Sequence, residues 1–110
     1  YIMDGTGTLQ KTKDIVLKAL GDQDVQIYLF GSWARHEQKK SSDIDIAIEG
    51  KVDISALVRN VREQLEDSTI PFRFDVVDMG FASEILKQRI RREGILWKKF
   101  RNDSNSLRKL

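Results

Sequence analysis

Residues 43–48 read Asp-Ile-Asp-Ile-Ala-Ile, and this alternation constrains the fold more than any other part of the chain. Successive side chains on a β-strand point to opposite faces of the sheet. Asp43 and Asp45 therefore share one face of a strand, and the three isoleucines share the other. Two acids about 7 Å apart along a strand repel each other unless a cation lies between them. The segment predicts a strand with one face in the core and a cation site on the other.

A second motif lies just before this strand. Residues 25–30 read Val-Gln-Ile-Tyr-Leu-Phe, which is typical of a strand, and Gly31 and Ser32 follow directly. Glycine lets the backbone come close to a ligand. Ser32 is suited to cap a short helix over residues 33–36, whose first N–H groups would be free to bind an anion. We therefore expect Gly31 and Ser32 to bind phosphate.

A third acid lies in a later apolar segment. Residues 72–77 read Phe-Arg-Phe-Asp-Val-Val, which predicts a strand with Asp75 on the face opposite the two phenylalanines. A buried carboxylate without a partner is costly, so Asp75 needs a reason to be there. If this strand neighbours residues 43–48, Asp75 can join Asp43 and Asp45. Such carboxylates can hold two Mg²⁺ ions, which clamp the attacking and leaving oxygens of a phosphoryl transfer.

The rest of the chain alternates between helical and extended patterns. Apolar residues at helical spacing predict three helices, over residues 8–20, 54–68 and 82–93. Asp53 and Ser83 are the predicted caps of the second and third helices. In the third helix, Ile85, Leu86 and Ile90 are expected to face inward. This alternation predicts an α/β domain with a small sheet flanked by helices, and it leaves the order of the strands open.

The length and composition indicate one domain without disulfides. We expect the domain to cover residues 1–101, with a brief extended piece at 95–97 and a mobile C-terminal tail at 102–110. The absence of cysteine excludes thiolate catalysis and cysteine-based zinc sites. No apolar run approaches the roughly 20 residues of a membrane span. A cytoplasmic setting without a membrane partner is the expectation.

Basic residues are concentrated at the C-terminal end. Residues 87–110 contain nine Lys and Arg residues and two acidic ones. Such a cluster can attract nucleic acid or an acidic partner, although charge clusters are more often a solvated surface. No segment suited to gripping a duplex is evident, so we do not expect direct binding of nucleic acid.

Taken together, these motifs resemble a known family. Gly31-Ser32, followed after ten residues by Asp43-x-Asp45, resembles the signature of the DNA polymerase β-like nucleotidyltransferase superfamily. The fuller motifs Gly-Ser-x-Ala-Arg and Ser-Asp-Ile-Asp-Ile are similar to those of its minimal nucleotidyltransferase (MNT) branch. The likeness extends from the first predicted helix to Trp97 without a departure at the motif positions. It implies a polymerase β-like fold with a small mixed sheet.

The resemblance also implies an activity. MNT proteins transfer a nucleoside monophosphate, here expected to be AMP from ATP, to a hydroxyl group, and pyrophosphate leaves. By analogy, two Mg²⁺ ions would be bound by the catalytic acids Asp43, Asp45 and Asp75. The resemblance assigns the triphosphate to Gly31 and Ser32, and Arg35 and Lys40 are further candidates for binding the nucleotide. Arg35 could instead pair with an acid, and Lys40 could be a solvated loop residue.

The resemblance implies a protein partner as well. Small MNT proteins often pair with a helical HEPN-domain protein, which is frequently a toxin ribonuclease. In such pairs the MNT protein is the antitoxin and adenylylates a tyrosine of the toxin. Two alternatives remain open at this point. The chain could neutralise a partner by contact alone, or it could modify a small molecule such as an antibiotic.

Overall fold

The computed structural model describes residues 5–101, with side chains from residue 7 onward. Its elements follow in this order: α1 (Gly5–Leu20), β1 (Val25–Phe30), β2 (Ile44–Gly50), α2 (Ser55–Glu66), β3 (Phe74–Asp78), α3 (Glu84–Glu93) and β4 (Ile95–Lys98). A 3₁₀ turn at Met79–Phe81 connects β3 to α3. Between residues 5 and 101, no helix is long and apolar enough to cross a membrane. The tail expected at residues 102–110 lies outside the described residues.

The four strands form one mixed sheet in the order β3-β2-β1-β4. β2 and β3 run parallel, whereas β1 is antiparallel to both β2 and β4. The expectation of a small mixed sheet flanked by helices is confirmed. The extended piece predicted at 95–97 corresponds to β4, which forms an edge strand of the sheet. The sequence did not reveal its partner because β1 lies far away along the chain.

Each face of the sheet has its own apolar cluster. On one face, α1 and α2 cover the side chains of Ile44, Ile46 and Ile48, which are all fully buried. On the other face, the 3₁₀ turn and α3 cover a smaller cluster of four buried residues: Tyr28, Ala47, Met79 and Ile90. The predicted alternation along β2 is therefore confirmed, since the isoleucines lie on the first face and Ala47 on the second.

Three predicted features around the motifs are wrong in detail. Residues 33–36 form overlapping turns rather than a short helix, and His36 has a φ of 60°. A positive φ is incompatible with continuing a right-handed helix, so the turns end at His36. β2 begins at Ile44, so Asp43 precedes the strand, and β3 begins at Phe74 rather than at residue 72.

The helix ends agree more closely with the predictions. Ser83 caps α3, since its hydroxyl oxygen accepts a hydrogen bond from the N–H of Leu86 at 3.1 Å. In front of α2, the N-cap position belongs to Ile54, but the carboxylate of Asp53 accepts hydrogen bonds from Ser55. The prediction that Ile85 faces inward is wrong, because its side chain is 75% exposed. Leu86 and Ile90 fill the inner face of α3, and Ile85 lies about 100° away from Leu86 around the helix.

Candidate active site

The Gly31 turn lies directly against Asp45. The backbone of Gly31 has a φ of 76°, a conformation that L side chains rarely adopt. A Cβ atom at this position would overlap the carboxylate of Asp45. Only glycine therefore allows the end of β1 to lie so close to the acid on β2.

Trp33 fixes this turn in place. Its side chain is buried and packs edge-on against Phe72, with ring centroids 5.0 Å apart. Its indole N–H donates a hydrogen bond to the carbonyl oxygen of Ser42 at 3.4 Å. The turn is thereby tied to the chain just before β2. Among the described residues, the backbone N–H groups of Ser32 and Trp33 find no acceptor, so both remain available to an anion.

Asp45 and Asp75 are paired positions of two neighbouring strands. The parallel register of β2 and β3 places them side by side, and neighbouring strands lie about 4.8 Å apart. Both side chains lie on the α3 face of the sheet. Asp45 is half-buried, and Asp75 is exposed. Asp43 is also exposed and lies just before β2. The structure therefore brings the second predicted acid beside the third, as expected for neighbouring strands.

The electrostatics of Asp45 reflect this crowding. Burial raises the pKa of its carboxyl group to about 6, and the negative charges of Asp75 and Asp43 act in the same direction. The positive charge of Arg35 opposes them. The acids are thus close enough to repel each other, and a cation would relieve that repulsion. As the side chains stand, however, no three acidic or histidine residues between residues 7 and 101 are arranged to enclose a metal ion.

A cavity of about 370 Å³ opens beside Asp45. The end of β1 and the following turn line one side of it, through Phe30, Gly31, Ser32 and Arg35. Two residues of α3, Arg89 and Glu93, line the other side. Sequence reasoning missed both of them. Their spacing of four residues places them on one face of α3. Nothing in the sequence indicates that this face lies opposite the Gly31–Ser32 turn.

The two tentative basic candidates are placed differently. Arg35 lines the cavity, and its Nε atom lies 3.0 Å from Oε1 of Glu37. Both alternatives for Arg35 therefore remain compatible with its position. Lys40 does not line the cavity, and instead it lies with Asp43 and Arg73 around a separate depression. The structure thus brings Gly31, Ser32 and Arg35 to Asp45 but leaves Lys40 apart.

Solved structures share the fold of this chain. One chain of a toxin–antitoxin crystal structure with AMP-PNP superposes with a TM-score of 0.66 and 28% identity, covering 84% of this chain and 77% of that chain. A structure of a tri-AMPylated Shewanella oneidensis HEPN toxin in complex with an MNT antitoxin matches with a TM-score of 0.60 and 27% identity, over 87% of this chain and 76% of that one. The fold is that of minimal nucleotidyltransferases.

Sequence comparison gives the same assignment. The protein adenylyltransferase MntA of Shewanella oneidensis is 32% identical over 88 residues, which are 77% of this chain and 63% of that protein. An MntA relative from Haemophilus influenzae is 33% identical over 70 residues, 63% of this chain and 61% of that protein. The chain spans less than two thirds of the length of either relative. The family model described as polymerase beta, nucleotidyltransferase, matches residues 10–100. The chain therefore belongs to the polymerase beta nucleotidyltransferase family.

Proposed function

We propose that this protein is a magnesium-dependent adenylyltransferase that moves AMP from ATP to a hydroxyl group of a HEPN-type helical protein. The observation that carries the proposal is the pairing of Asp45 with Asp75 across β2 and β3, next to the Gly31–Ser32 turn. Acids and a phosphate-binding turn on one face are what nucleotidyl transfer requires. In this role the chain is the antitoxin of a toxin–antitoxin pair.

Asp43, Asp45 and Asp75 are the proposed ligands of two Mg²⁺ ions. Mg²⁺ is usually bound by one or two carboxylates, and water and substrate phosphates complete its shell. Three protein side chains already closed around an ion are therefore not needed. The raised pKa of Asp45 fits this donor set, because a cation would offset both the burial and the neighbouring charges. When bound, the ions would stabilise negative charge that develops on the α-phosphate.

The Gly31–Ser32 turn is the proposed binding site of the triphosphate. The N–H groups of Ser32 and Trp33 are available to phosphate oxygens, and the hydroxyl of Ser32 adds a further donor. Arg35 supplies positive charge to the same cavity. The match to a structure with AMP-PNP supports ATP as the nucleotide. Lys40 lies outside this cavity, and its part in attracting the nucleotide stays a prediction.

The proposed reaction exchanges one bond to phosphorus for another. The hydroxyl oxygen of the acceptor attacks the α-phosphorus of ATP, in line with the oxygen that bridges the α- and β-phosphates. The bond to that bridging oxygen breaks, AMP remains on the acceptor, and pyrophosphate leaves. The proton of the hydroxyl group passes to the carboxylate of Asp75. The exposure of Asp75 supports this role, because an acceptor can reach it from solvent.

Two comparisons support a protein as the acceptor. The matched structure from Shewanella oneidensis contains a tri-AMPylated HEPN toxin together with an MNT antitoxin. The curated relative from the same organism is named a protein adenylyltransferase. A cytoplasmic location is part of the same proposal, and a chain without cysteine is compatible with a reducing compartment.

The decisive experiment incubates the purified protein with the product of the neighbouring gene, the expected HEPN-type partner, together with ATP and Mg²⁺. Intact-mass analysis is expected to show that the partner gains the mass of one or more AMP groups. The Asp43→Asn variant should fail to modify the partner. Glu63→Gln, which removes an exposed acid from α2 on the opposite face, should match the parent. Modification at the parent rate by Asp43→Asn would show that the metal assignment is wrong.

A second candidate function is neutralisation of the partner by contact alone. This function needs no metal ion, so the lack of a preformed group of three acids between residues 7 and 101 is compatible with it. The toxin's activity, measured with the protein present, separates the two functions. Adenylyl transfer requires ATP and Mg²⁺ for full neutralisation and leaves the toxin inactive after the protein is removed. Contact alone neutralises equally well without nucleotide and is reversed by separation.

A further inference from the structure

α3 presents a row of residues to the candidate active site. Arg89 and Glu93 lie one turn apart and line the cavity opposite the Gly31–Ser32 turn. The inner face of the same helix carries Leu86 and Ile90, which pack into the apolar cluster on the sheet. α3 therefore serves both as a cover for this face of the sheet and as one wall of the cavity.

Arg89 is the only basic residue of α3 without an acidic partner among the described residues. Lys87 pairs with Glu84 at 3.3 Å, Arg91 pairs with Glu49, and Arg92 lies 3.5 Å from a carboxylate oxygen of Glu93. Arg35, on the opposite wall of the cavity, is engaged with Glu37. Of the two arginines that line the cavity, Arg89 is therefore the one without an ion pair among the described residues, and its guanidinium group is free to bind a ligand.

Local hydrogen bonds cap both ends of α3, and one ion pair links the helix to the sheet. Ser83 caps the first turn, and the N–H of Gly94 donates to the carbonyl oxygen of Ile90 at 2.8 Å. The ion pair between Arg91 and Glu49 connects the last turn to β2. Leu86 and Ile90 pack against the sheet as well, so the backbone at Arg89 is held beside the cavity. The side chain of Arg89 is exposed, but it extends from an anchored helix, so binding a ligand costs less backbone entropy than binding with an arginine on a mobile loop.

The location of the cavity indicates which part of the nucleotide Arg89 meets. Asp45 lines the cavity, whereas Asp43 and Asp75 do not. The reacting α-phosphorus must lie by the three acids, where the acceptor hydroxyl arrives at Asp75. The cavity extends from Asp45 toward the free N–H groups of the turn, away from Asp75. The cavity is therefore in position to hold the β- and γ-phosphates, which leave as pyrophosphate.

We propose that Arg89 binds the β- and γ-phosphates of the nucleotide, and with them the pyrophosphate product, from the α3 side of the cavity. This inference rests on the proposed function. The planar guanidinium group can donate two parallel hydrogen bonds to phosphate oxygens. Together with the Gly31–Ser32 turn, it would hold the diphosphate between two walls. The ligand class is an Mg²⁺-bound diphosphate or triphosphate ester.

Isothermal titration calorimetry in Mg²⁺ buffer tests the proposal with three ligands. These are α,β-methylene ATP, which cannot donate AMP, inorganic pyrophosphate, and AMP. Arg89→Ala is expected to weaken binding of the first two by roughly 10- to 100-fold, which is typical of a charge-assisted contact, and to leave AMP binding within about twofold. Arg89→Lys should recover part of the loss. Arg59→Ala is the matched control, because Arg59 is an exposed arginine of α2 on the opposite face, and this variant should match the parent.

The outcomes separate this inference from the proposed function. If the parent binds α,β-methylene ATP and Arg89→Ala binds it equally well, the role of Arg89 is wrong and the proposed function stands. If Arg89→Ala weakens the binding of AMP as much as the binding of the ATP analogue, Arg89 contacts the nucleoside end and the proposal is overturned. If the parent binds none of the three ligands while Mg²⁺ is present, both the proposed function and the role of Arg89 fail.

Discussion

The two faces of the sheet differ in kind, although the same strands build both. On the α1–α2 face, β2 contributes three isoleucines that are fully buried. On the α3 face, the alternate positions of β2 carry Asp45, Ala47 and Glu49. The first face excludes water, whereas the second combines a small apolar cluster with charged groups and an open cavity. Neighbouring residues of β2 therefore have different roles: one side chain packs in the core and the next lies at the candidate active site.

The covering layers match this division. Two helices close the isoleucine face, but α3 and a 3₁₀ turn close the acid face only in part. The opening lies where β1 ends, next to Gly31. A substitution on one face is therefore expected to change stability, and a substitution at the next residue to change activity.

The largest expected effect is on activity, from Asp45→Asn. Loss of one negative charge from the proposed metal site should reduce AMP transfer to the partner by on the order of 1,000-fold or more. The side chains are nearly equal in size, so the fold should be retained. Initial rates measured by intact mass with saturating ATP would test this, with circular dichroism to verify folding. A loss of less than about tenfold would contradict a central role for Asp45.

Ile46→Ala should produce the opposite pattern. Removing three carbons from a fully buried position is expected to lower the free energy of unfolding by about 2–5 kcal/mol. The folded fraction should still transfer AMP at close to the parent rate. Urea unfolding and rates per folded molecule would measure both effects. Val52→Ala is the control, because Val52 is 78% exposed and its truncation should change stability by less than about 0.5 kcal/mol.

The stability of Asp45→Asn should depend on pH with a defined sign. The folded protein raises the pKa of Asp45 from its usual 3.8 to about 6, so the ionised form opposes folding. That opposition is present above pH 6 and disappears as the pH falls toward 4, where the folded state takes up the proton. Asp45→Asn should therefore be more stable than the parent at pH 7 by on the order of 1 kcal/mol, reduced from the full shift because the group is partly exposed.

Urea unfolding at pH 7 and pH 4 checks this prediction, and the difference between the two proteins should close at the lower pH. Added Mg²⁺ should stabilise the parent at pH 7 and have little effect on Asp45→Asn. Equal stability of both proteins at pH 7 without Mg²⁺ would show that the ionised carboxylate of Asp45 does not destabilise the folded state.

The smallest expected effect is local. Ser83→Ala removes the cap of α3 and should destabilise it by about 0.5–1 kcal/mol. Because α3 covers only the acid face, the change should appear as faster hydrogen exchange in α3 while β2 stays protected. Ser41→Ala, in the exposed loop before β2, is the control. Equal acceleration in β2 and α3 would show that the two faces unfold as one unit.

The sequence predicted the features that depend on local alternation. The isoleucine face of β2, the placement of Asp75 on its strand and the Ser83 cap all follow from side-chain spacing. The resemblance to nucleotidyltransferases then supplied the mixed sheet, which periodicity alone left open. By contrast, β4 spans four residues, and its pairing with β1 depends on contacts between distant parts of the chain. Short segments of this kind carry too little pattern to reveal a partner.

The candidate site was predictable on one wall and not on the other. Gly31, Ser32 and Asp45 form a motif that is visible along the chain. Arg89 and Glu93 reach the same cavity only because α3 crosses this face of the sheet, which spacing does not encode. The inward assignment of Ile85 failed for a related reason, since apolar character alone does not indicate which side of a helix meets the sheet.

The overlap between Gly31 and Asp45 has a consequence for how this site can change over time. A side chain at position 31 would occupy the space of the Asp45 carboxylate, and it would also be strained by the positive φ. A side chain at position 31 would therefore displace the Asp45 carboxylate from its present position, so replacement of the glycine is easiest after the acid is lost. Once position 31 carried a side chain, restoring the acid at position 45 would require the reverse order. Inactivation along this route would be slow to reverse, because the acid alone would meet the side chain at position 31, and glycine alone would restore no activity.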